Sequence, residues 1–230
     1  AVGGGPAETM FFGGGTPSVI DEKLIVGCMN QIRKCYILAD GAEVTIEVNP
    51  GTVTKEKIEA YKRAGINRFS VGLQTAVDRQ LEELGRVHSV SDFVETCRLI
   101  GNANFSADIM IGLKGQTFAD VEKSMRLVRD SGAKHISVYA LTPEDGTPVY
   151  SDYLNGELPD ADEVADMYEK AYALAESLGY RRYEVSNFAF EGYESRHNLN
   201  YWRRGEYIGF GVAASSFMCG RRFTNTRDLD

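Results

Sequence analysis

Cysteine is scarce in this sequence, and its spacing excludes two common uses. The four cysteines, Cys28, Cys35, Cys97 and Cys219, contain no CxxC pair. The pattern therefore predicts neither a disulfide framework nor a cysteine metal knuckle, and it fits a reducing cytoplasm. Because Cys28 and Cys35 fall on one face of a predicted helix, we expect both to be buried as small apolar side chains.

Positive charge is also in short supply. The chain has 25 lysines and arginines against 33 aspartates and glutamates, which gives a formal net charge of −8. This balance argues against a dedicated nucleic-acid binder. No apolar run approaches the roughly 18 residues that cross a bilayer, and residues 1–8 have no secretory-signal pattern. The composition predicts a soluble globular chain with one large domain, or with one domain and a small appendage.

Helical and strand patterns alternate along most of the chain. Apolar residues at helical spacing predict helices over 118–128 and 164–178, and weaker patterns predict helices over 21–36, 54–64 and 91–100. Asp160 with Glu163 forms a cap sequence at the start of the second helix. Four glycines each end a helical pattern shortly before a short β-rich run: Gly65, Gly101, Gly132 and Gly179. With two earlier strands over 9–12 and 44–48, this order predicts a parallel sheet flanked by helices.

The places where unusual residues fall favour a barrel over a doubly wound sheet. A polar or glycine-rich cluster follows or ends five successive predicted strands: residues 13–18, 47–50, 74, 108–112 and 140–143. Barrel enzymes build their sites from the carboxyl ends of many strands. A doubly wound sheet would instead concentrate its ligand contacts at one switch point. We therefore expect an α/β barrel with its site at the strand ends.

The first cluster, Gly13-Gly14-Gly15-Thr16, allows a ligand to approach the backbone closely. Its exposed amides can bind a carboxylate or a phosphate. The spacing matches neither a dinucleotide-binding nor a P-loop motif. A tight strand-to-helix turn without a ligand explains the glycines equally simply.

Four polar side chains further along the chain complete a candidate ligand site. Glu47 can accept hydrogen bonds from an amine or a ribose diol, and Gln74 can both donate and accept. Arg86 is a fixed cation suited to a ligand carboxylate. Asp108 interrupts an apolar strand, where a charge requires a partner. Each one alone is typical of a salt bridge or a cap, but together they surround one barrel mouth.

These motifs resemble the radical S-adenosylmethionine (SAM) proteins of the oxygen-independent coproporphyrinogen oxidase family. The resemblance runs through FFGGGTPS, TIEVNPGTVT, INRFSVGLQT, LGRVHS, ADIMIGLKGQT, SVYALTPEDGTP, YEVSNFA and RHNLNYW. It implies that Gly14, Gly15 and Thr16 contact the amino-acid portion of SAM. It further implies that the rest of the pocket consists of Glu47, Gln74, Arg86 and Asp108, with Ala140 nearby.

The HNxxYW segment resembles the heme-chaperone branch of this family, which makes His197 the candidate heme ligand. Imidazole is a common axial ligand of heme iron, and Tyr201 and Trp202 offer flat apolar faces for a porphyrin. Arg196, Arg203 and Arg204 could meet its propionates. Without the resemblance, a lone histidine beside aromatic residues is more often structural.

The chain departs from the family at the [4Fe–4S] cluster. The family holds this cluster on a CxxxCxxC loop, and these 230 residues contain no such loop. The cysteines present are too far apart to replace it, so the resemblance implies that the first strand and the loop precede Ala1. We expect residues 1–188 to form a partial (β/α)6 TIM-like barrel and residues 189–230 a β/loop extension that carries HNxxYW. The family also implies a further domain after Asp230.

Three functions remain open from the sequence. The first is a cytoplasmic heme chaperone that uses SAM and the cluster and passes heme to acceptor proteins. The second is an oxygen-independent oxidase that decarboxylates coproporphyrinogen III. The third is an inert barrel used as a scaffold. No catalytic residue is assigned, no nucleic-acid partner is expected, and SAM cleavage, membrane contact and oligomeric state stay undecided.

Overall fold

The computed structural model describes residues 5–228, in two compact units that meet in the chain at Glu194 and Ser195. Residues 1–4 and 229–230, the outer ends of the two predicted domains, lie outside the described residues. The strands are β1 Ala7–Phe12, β2 Leu38–Val48, β3 Arg68–Gln74, β4 Asn104–Ile111, β5 His135–Ala140, β6 Arg181–Arg182, β7 Asn187–Ala189, β8 Ser215–Met218 and β9 Arg221–Thr224. The helices are α1 Glu22–Cys35, α2 Lys55–Ala64, α3 Asp78–Glu83, α4 Val90–Ile100, α5 Phe118–Asp130, α6 Pro148–Leu154, α7 Ala161–Ser177 and α8 Arg196–Trp202.

The first unit contains one curled sheet with the order β1-β2-β3-β4-β5-β7-β6. Strands β1 to β5 are parallel, and each is joined to the next by at least one helix. The predicted α/β fold, a partial barrel, is therefore confirmed. The predicted cap of α7 is also present, because Asp160 and Glu163 form a reciprocal capping box.

At the far edge of the sheet, the sixth parallel strand of the predicted barrel is absent from the described residues. The chain forms the short strand β6 and then turns back into β7, which runs antiparallel to both β5 and β6. The sequence explains this arrangement. Parallel strands buried on both faces need a mainly apolar run. Arg181 and Arg182 are exposed and occupy the sheet edge, whereas Phe188 and Ala189 are buried beside β5.

The two faces of the parallel sheet have opposite character. Apolar residues such as Ile46, Phe69 and Ile109 alternate along the strands and form the core with the helices. Polar residues occupy the positions between them, and residues on adjacent strands such as Gly72, Asp108 and Ser137 are paired in register. The inner face of the curled sheet is therefore polar, although it lies in the middle of the fold.

The expectation for two cysteines of α1 is wrong. Cys28 and Cys35 are exposed, because the buried stripe of this helix passes through Ile25 and Met29 and leaves both cysteines to one side. Cys97, in contrast, is buried in the core. Within residues 5–228, no helix is both long and apolar enough to cross a membrane.

The second unit has its own small framework. Ser195 caps α8 by accepting a hydrogen bond from the Asn198 backbone N–H. Strands β8 and β9 form an antiparallel hairpin, and Tyr207 pairs with Phe217 at its side. This unit corresponds to most of the predicted extension and carries the HNxxYW segment.

Candidate functional site

The glycine segment after β1 is tied directly to Glu47. The backbone N–H of Gly14 donates a hydrogen bond to Glu47 Oε2 over 3.2 Å. At Gly13, a Cβ atom would lie 2.7 Å from the Phe11 ring and 3.0 Å from Glu47 Oε1, so a larger residue would force one or both of these side chains to move. Gly14 and Gly15 have positive φ angles and open space around them. The loop therefore leaves room for a ligand beside the Glu47 carboxylate.

The electrostatics of Glu47 reflect its position in the fold. Burial raises the pKa of Glu47, the hydrogen bond from Gly14 opposes this rise, and the nearby Asp108 charge adds to it. Because the negative charge of Asp108 raises the pKa of Glu47, a cationic group between the two acids would relieve their repulsion. An amine or a sulfonium has that charge.

Asn49 connects the glycine segment to the end of β2, and sequence reasoning gave it no role. Its side-chain Nδ2 donates to Thr16 Oγ1 over 3.1 Å, and its backbone N–H donates to Ser18 Oγ over 3.1 Å. Ser18 is fully buried. The Asn49-Pro50 pair after Glu47 was the available signal, since a polar residue at a strand end often fixes the next loop.

Gln74 ends β3 in a conformation that is unusual for a residue other than glycine. Its φ angle is +69°, it is buried, and the register with β4 shifts at this point. The Gln74 amide nitrogen lies 3.0 Å from where a Cβ of Gly72 would be, so the absence of a side chain at Gly72 makes room for it. Such backbone conformations concentrate at functional sites, and the ligand role of Gln74 stays a prediction.

Asp108 lies on the inner face of β4, where it accepts hydrogen bonds from the side chains of Ser70 and Ser137. Ser70 Oγ donates to Asp108 Oδ2 over 3.5 Å, and Ser106 Oγ donates to Ser70 Oγ over 3.2 Å. Burial raises the pKa of Asp108, while a hydrogen bond from Ser137 and the charges of Arg68 and Arg86 favour the carboxylate. Arg86, predicted as a ligand contact, thus lies close enough to influence Asp108.

Two further predicted residues lie at other places. Ala140 is the last residue of β5 and is exposed. The backbone N–H of Leu141, which follows it, donates a hydrogen bond to the carbonyl oxygen of Ile111 at the end of β4. His197 belongs to the second unit, in α8, where its Nε2 lies 2.7 Å from Tyr201 Oη. The structure therefore assembles Gly14, Glu47, Asp108 and Arg86 at one end of the sheet. The ligand roles of all these residues stay predictions.

The inner-face residues Arg68 and Ser70 were also missed by sequence reasoning. The signal was present in the alternation of β3, where Arg68, Ser70 and Gln74 share one face and Phe69 and Val71 the other. Polar residues at every second position of a central strand predict a polar interior.

The described residues offer no substitute for a cluster-binding loop. Within residues 5–228, no group of three His, Cys, Asp or Glu side chains is arranged to hold a metal ion. Cys28 and Cys35 are exposed on α1, Cys219 is exposed in the turn between β8 and β9, and Cys97 is buried in α4. Burial also raises the pKa of the Cys97 thiol to about 12. These residues do not fit an iron–sulfur cluster.

A parallel partial barrel with a glycine loop and paired acids at its strand ends defines the class of this protein. The family model of the radical SAM superfamily matches residues 1–128. The chain belongs to the radical SAM superfamily.

Within this superfamily, the chain is similar to proteins named heme chaperone HemW. It is 40% identical to that of Bacillus subtilis over 224 residues, covering 95% of this chain and 59% of the relative. It is 38% identical to that of Escherichia coli over 232 residues, covering 97% and 61%. The chain thus spans about three fifths of these curated relatives.

A solved structure shares the fold. The coproporphyrinogen III oxidase HemN from Escherichia coli, described as a radical SAM enzyme, superposes with a TM-score of 0.81 at 19% identity. The match covers 96% of this chain and 55% of that one. At this identity the likeness shows the common fold alone.

Proposed function

We propose that this chain is the barrel part of a cytoplasmic heme chaperone of the HemW type, which binds SAM at its strand ends and heme at His197. The observation that carries this proposal is the similarity to HemW relatives, at 38% and 40% identity over nearly all of this chain. The solved oxidase is similar at only 19% identity. Heme delivery to acceptor proteins follows from the same relationship, and no nucleic-acid partner is proposed.

The strand-end site suits the chemistry of SAM. The backbone of Gly14 and Gly15, with Thr16 and the Arg86 cation, would hold the methionine carboxylate. Glu47 and Asp108 would face the ammonium or the ribose hydroxyls, and Gln74 would add an amide contact. Ala140, without a polar side chain, would offer a surface for the adenine. SAM supplies a methyl, aminocarboxypropyl or adenosyl group when bound, and which of these is used stays outside the proposal.

The cluster is proposed for the whole protein and for no residue of this chain. Since the described cysteines do not fit it, a [4Fe–4S] centre would need a cysteine loop beyond these 230 residues. The proposal therefore assigns to this chain only the organic part of the cofactor site.

The heme site would be built on α8. The His197 and Tyr201 rings meet edge to face with centroids 4.8 Å apart, and Tyr201 packs in the same way on Tyr207 at 4.6 Å. Trp202 is 56% exposed and offers an apolar surface beside them. His197 is half-buried, with Nε2 engaged by the Tyr201 hydroxyl. Iron would compete with this hydroxyl for Nε2, or would bind Nδ1.

An anaerobic heme titration of the full-length protein tests this proposal. We expect stoichiometric binding with a Soret band that shifts or weakens in His197→Ala. Tyr201→Phe is the matched control, because it keeps the ring and releases Nε2, and so it should bind heme at least as well as the parent. An unchanged spectrum in His197→Ala would remove the ligand assignment.

The oxidase is the second candidate, favoured by the shared fold of the solved HemN structure. It predicts carbon dioxide release from coproporphyrinogen III under anaerobic conditions with SAM and a reductant. Turnover in the wild-type protein, together with absence of heme binding, would favour the oxidase over the chaperone.

A further inference from the structure

Arg68 is a buried cation on the inner face of the barrel that no assigned role explains. It opens β3 and is 2% exposed. Its Nε and Nη2 atoms have no hydrogen-bond partner, and it forms no ion pair within residues 5–228. Burying an arginine in this way is costly unless its charge serves another group.

The neighbours of Arg68 in the sheet do not neutralise it. Thr45 on β2 and Asn104 on β4 are its register partners, and each also has a buried oxygen without a hydrogen-bond partner. His135, on the same face of β5, is kept neutral because burial and the charge of Arg68 both lower its pKa. This floor of the barrel therefore contains a buried guanidinium that forms no ion pair with the described residues.

The residues between Arg68 and the strand ends show which group its charge affects. Ser70 and Ser106 form the next layer of β3 and β4, and their hydroxyls lead to Asp108 through the hydrogen bonds described above. The field of Arg68 favours the ionised form of Asp108. Arg68 thus lies below the acid, on the side away from the strand ends where a ligand would bind.

We propose that Arg68 is a positioning residue of this site, whose buried guanidinium is the counter-charge that keeps Asp108 a carboxylate. Arg68 touches no ligand and acts only through Asp108. Its effect on SAM affinity rests on the proposed function, whereas its effect on the ionisation of Asp108 does not.

Other ionisable groups also lie near Asp108, and the test must distinguish their effects from that of Arg68. Glu47 on β2 is an acid whose own pKa the Asp108 charge raises. Arg86 after α3 favours the ionised form of Asp108, and Tyr139 on β5 is near enough for Asp108 to raise the Tyr139 pKa. Glu43, buried on the same face of β2, is a second acid that Arg68 could serve. Asp108→Asn, with Glu43 left intact, distinguishes these two acids.

The first measurement is the SAM affinity of the full-length protein between about pH 8 and about pH 5, in the wild type, Arg68→Met and Arg68→Lys. Without the counter-charge, Asp108 takes up its proton at higher pH. Arg68→Met should therefore bind almost normally at the alkaline end and lose roughly tenfold in affinity near about pH 6. Arg68→Lys, which keeps the charge, should follow the wild-type profile. A loss equal at every pH would show a merely structural role and overturn the proposal.

The Asp108→Asn background and a ligand-free measurement complete the test. In Asp108→Asn, replacing Arg68 by Met should produce no further pH-dependent loss, and a persisting loss would contradict the proposal. If Arg68→Met fails to fold, Asp108→Asn should restore folding, because it removes the uncompensated charge. Failure to restore would equally overturn the inference.

Carboxyl ¹³C NMR of Asp108 separates this inference from the proposed function. The Asp108 midpoint should rise in Arg68→Met even without SAM. A raised midpoint in a protein that never binds SAM would leave Arg68 as the counter-charge and refute the SAM site. Normal SAM binding by the wild type together with an unchanged Asp108 midpoint in Arg68→Met would leave the SAM site in place and refute the counter-charge role of Arg68.

Discussion

Replacing Gly13 by alanine tests the contact on which the geometry of the strand-end site depends. The new Cβ would lie 2.7 Å from Phe11 Cε1 and 3.0 Å from Glu47 Oε1, distances that force one or both side chains to move. Overpacking of this kind costs about 1–3 kcal/mol. Displacing Glu47 also weakens its hydrogen bond with the Gly14 N–H, which is worth roughly 1.5 kcal/mol for a charged acceptor near the surface.

We therefore expect Gly13→Ala to lower the free energy of unfolding by about 2 kcal/mol and the SAM affinity by about tenfold. Urea denaturation and equilibrium dialysis of SAM measure the two effects. Gly27→Ala is the control, because Gly27 lies inside α1 with nothing within 4 Å of an added Cβ. That variant should be more stable by about 0.5–1 kcal/mol. Wild-type stability and SAM affinity in Gly13→Ala would refute the reasoning.

Two further predictions use the ionisable groups. Because burial raises the pKa of Glu47, the folded protein loses stability as the pH rises through that pKa, so Glu47→Gln should be more stable than the wild type near neutral pH. The stability difference between Glu47→Gln and the wild type should vanish in acid, where both side chains are neutral. Urea denaturation midpoints of the two proteins at neutral and at acidic pH measure it. Cys97 should resist a thiol reagent in the native protein, since burial raises its pKa to about 12, whereas the exposed cysteines react. Fast modification of Cys97, identified by mass spectrometry, would contradict its placement in the core.

Much of the fold follows from local patterns in the sequence. The helical spacing predicts α5 and α7 and the weaker α1, α2 and α4, and the glycines after the helices mark where the strands begin. The short helices α3, α6 and α8 were not predicted, since six or seven residues give too few turns for a periodic signal. The direction of β7 was not predictable either, because strand direction depends on pairing with distant residues.

The residues of the candidate site could be selected from the sequence, whereas the interactions among them could not. Glu47 and Asp108 could be selected because each is a charged residue in or beside an apolar strand. The effect of the Asp108 charge on the Glu47 pKa depends on the register between β2, β3 and β4, which no local spacing encodes. Arg68 shows the limit most clearly, because as a residue of the sequence it is one arginine among many, and only its burial makes its charge significant.

The sequence by itself therefore determined the elements, the parallel α/β class and the residues at the strand ends, since helix and strand periodicity and turn glycines act over a few residues. Tertiary structure decided which side chains meet. It brought the Gly14 amide to Glu47, stacked Ser106, Ser70 and Asp108 on one inner face, and left Cys28 and Cys35 exposed. The physical reason is that burial and charge interactions depend on distances between residues far apart in the chain, which are fixed only when the sheet curls.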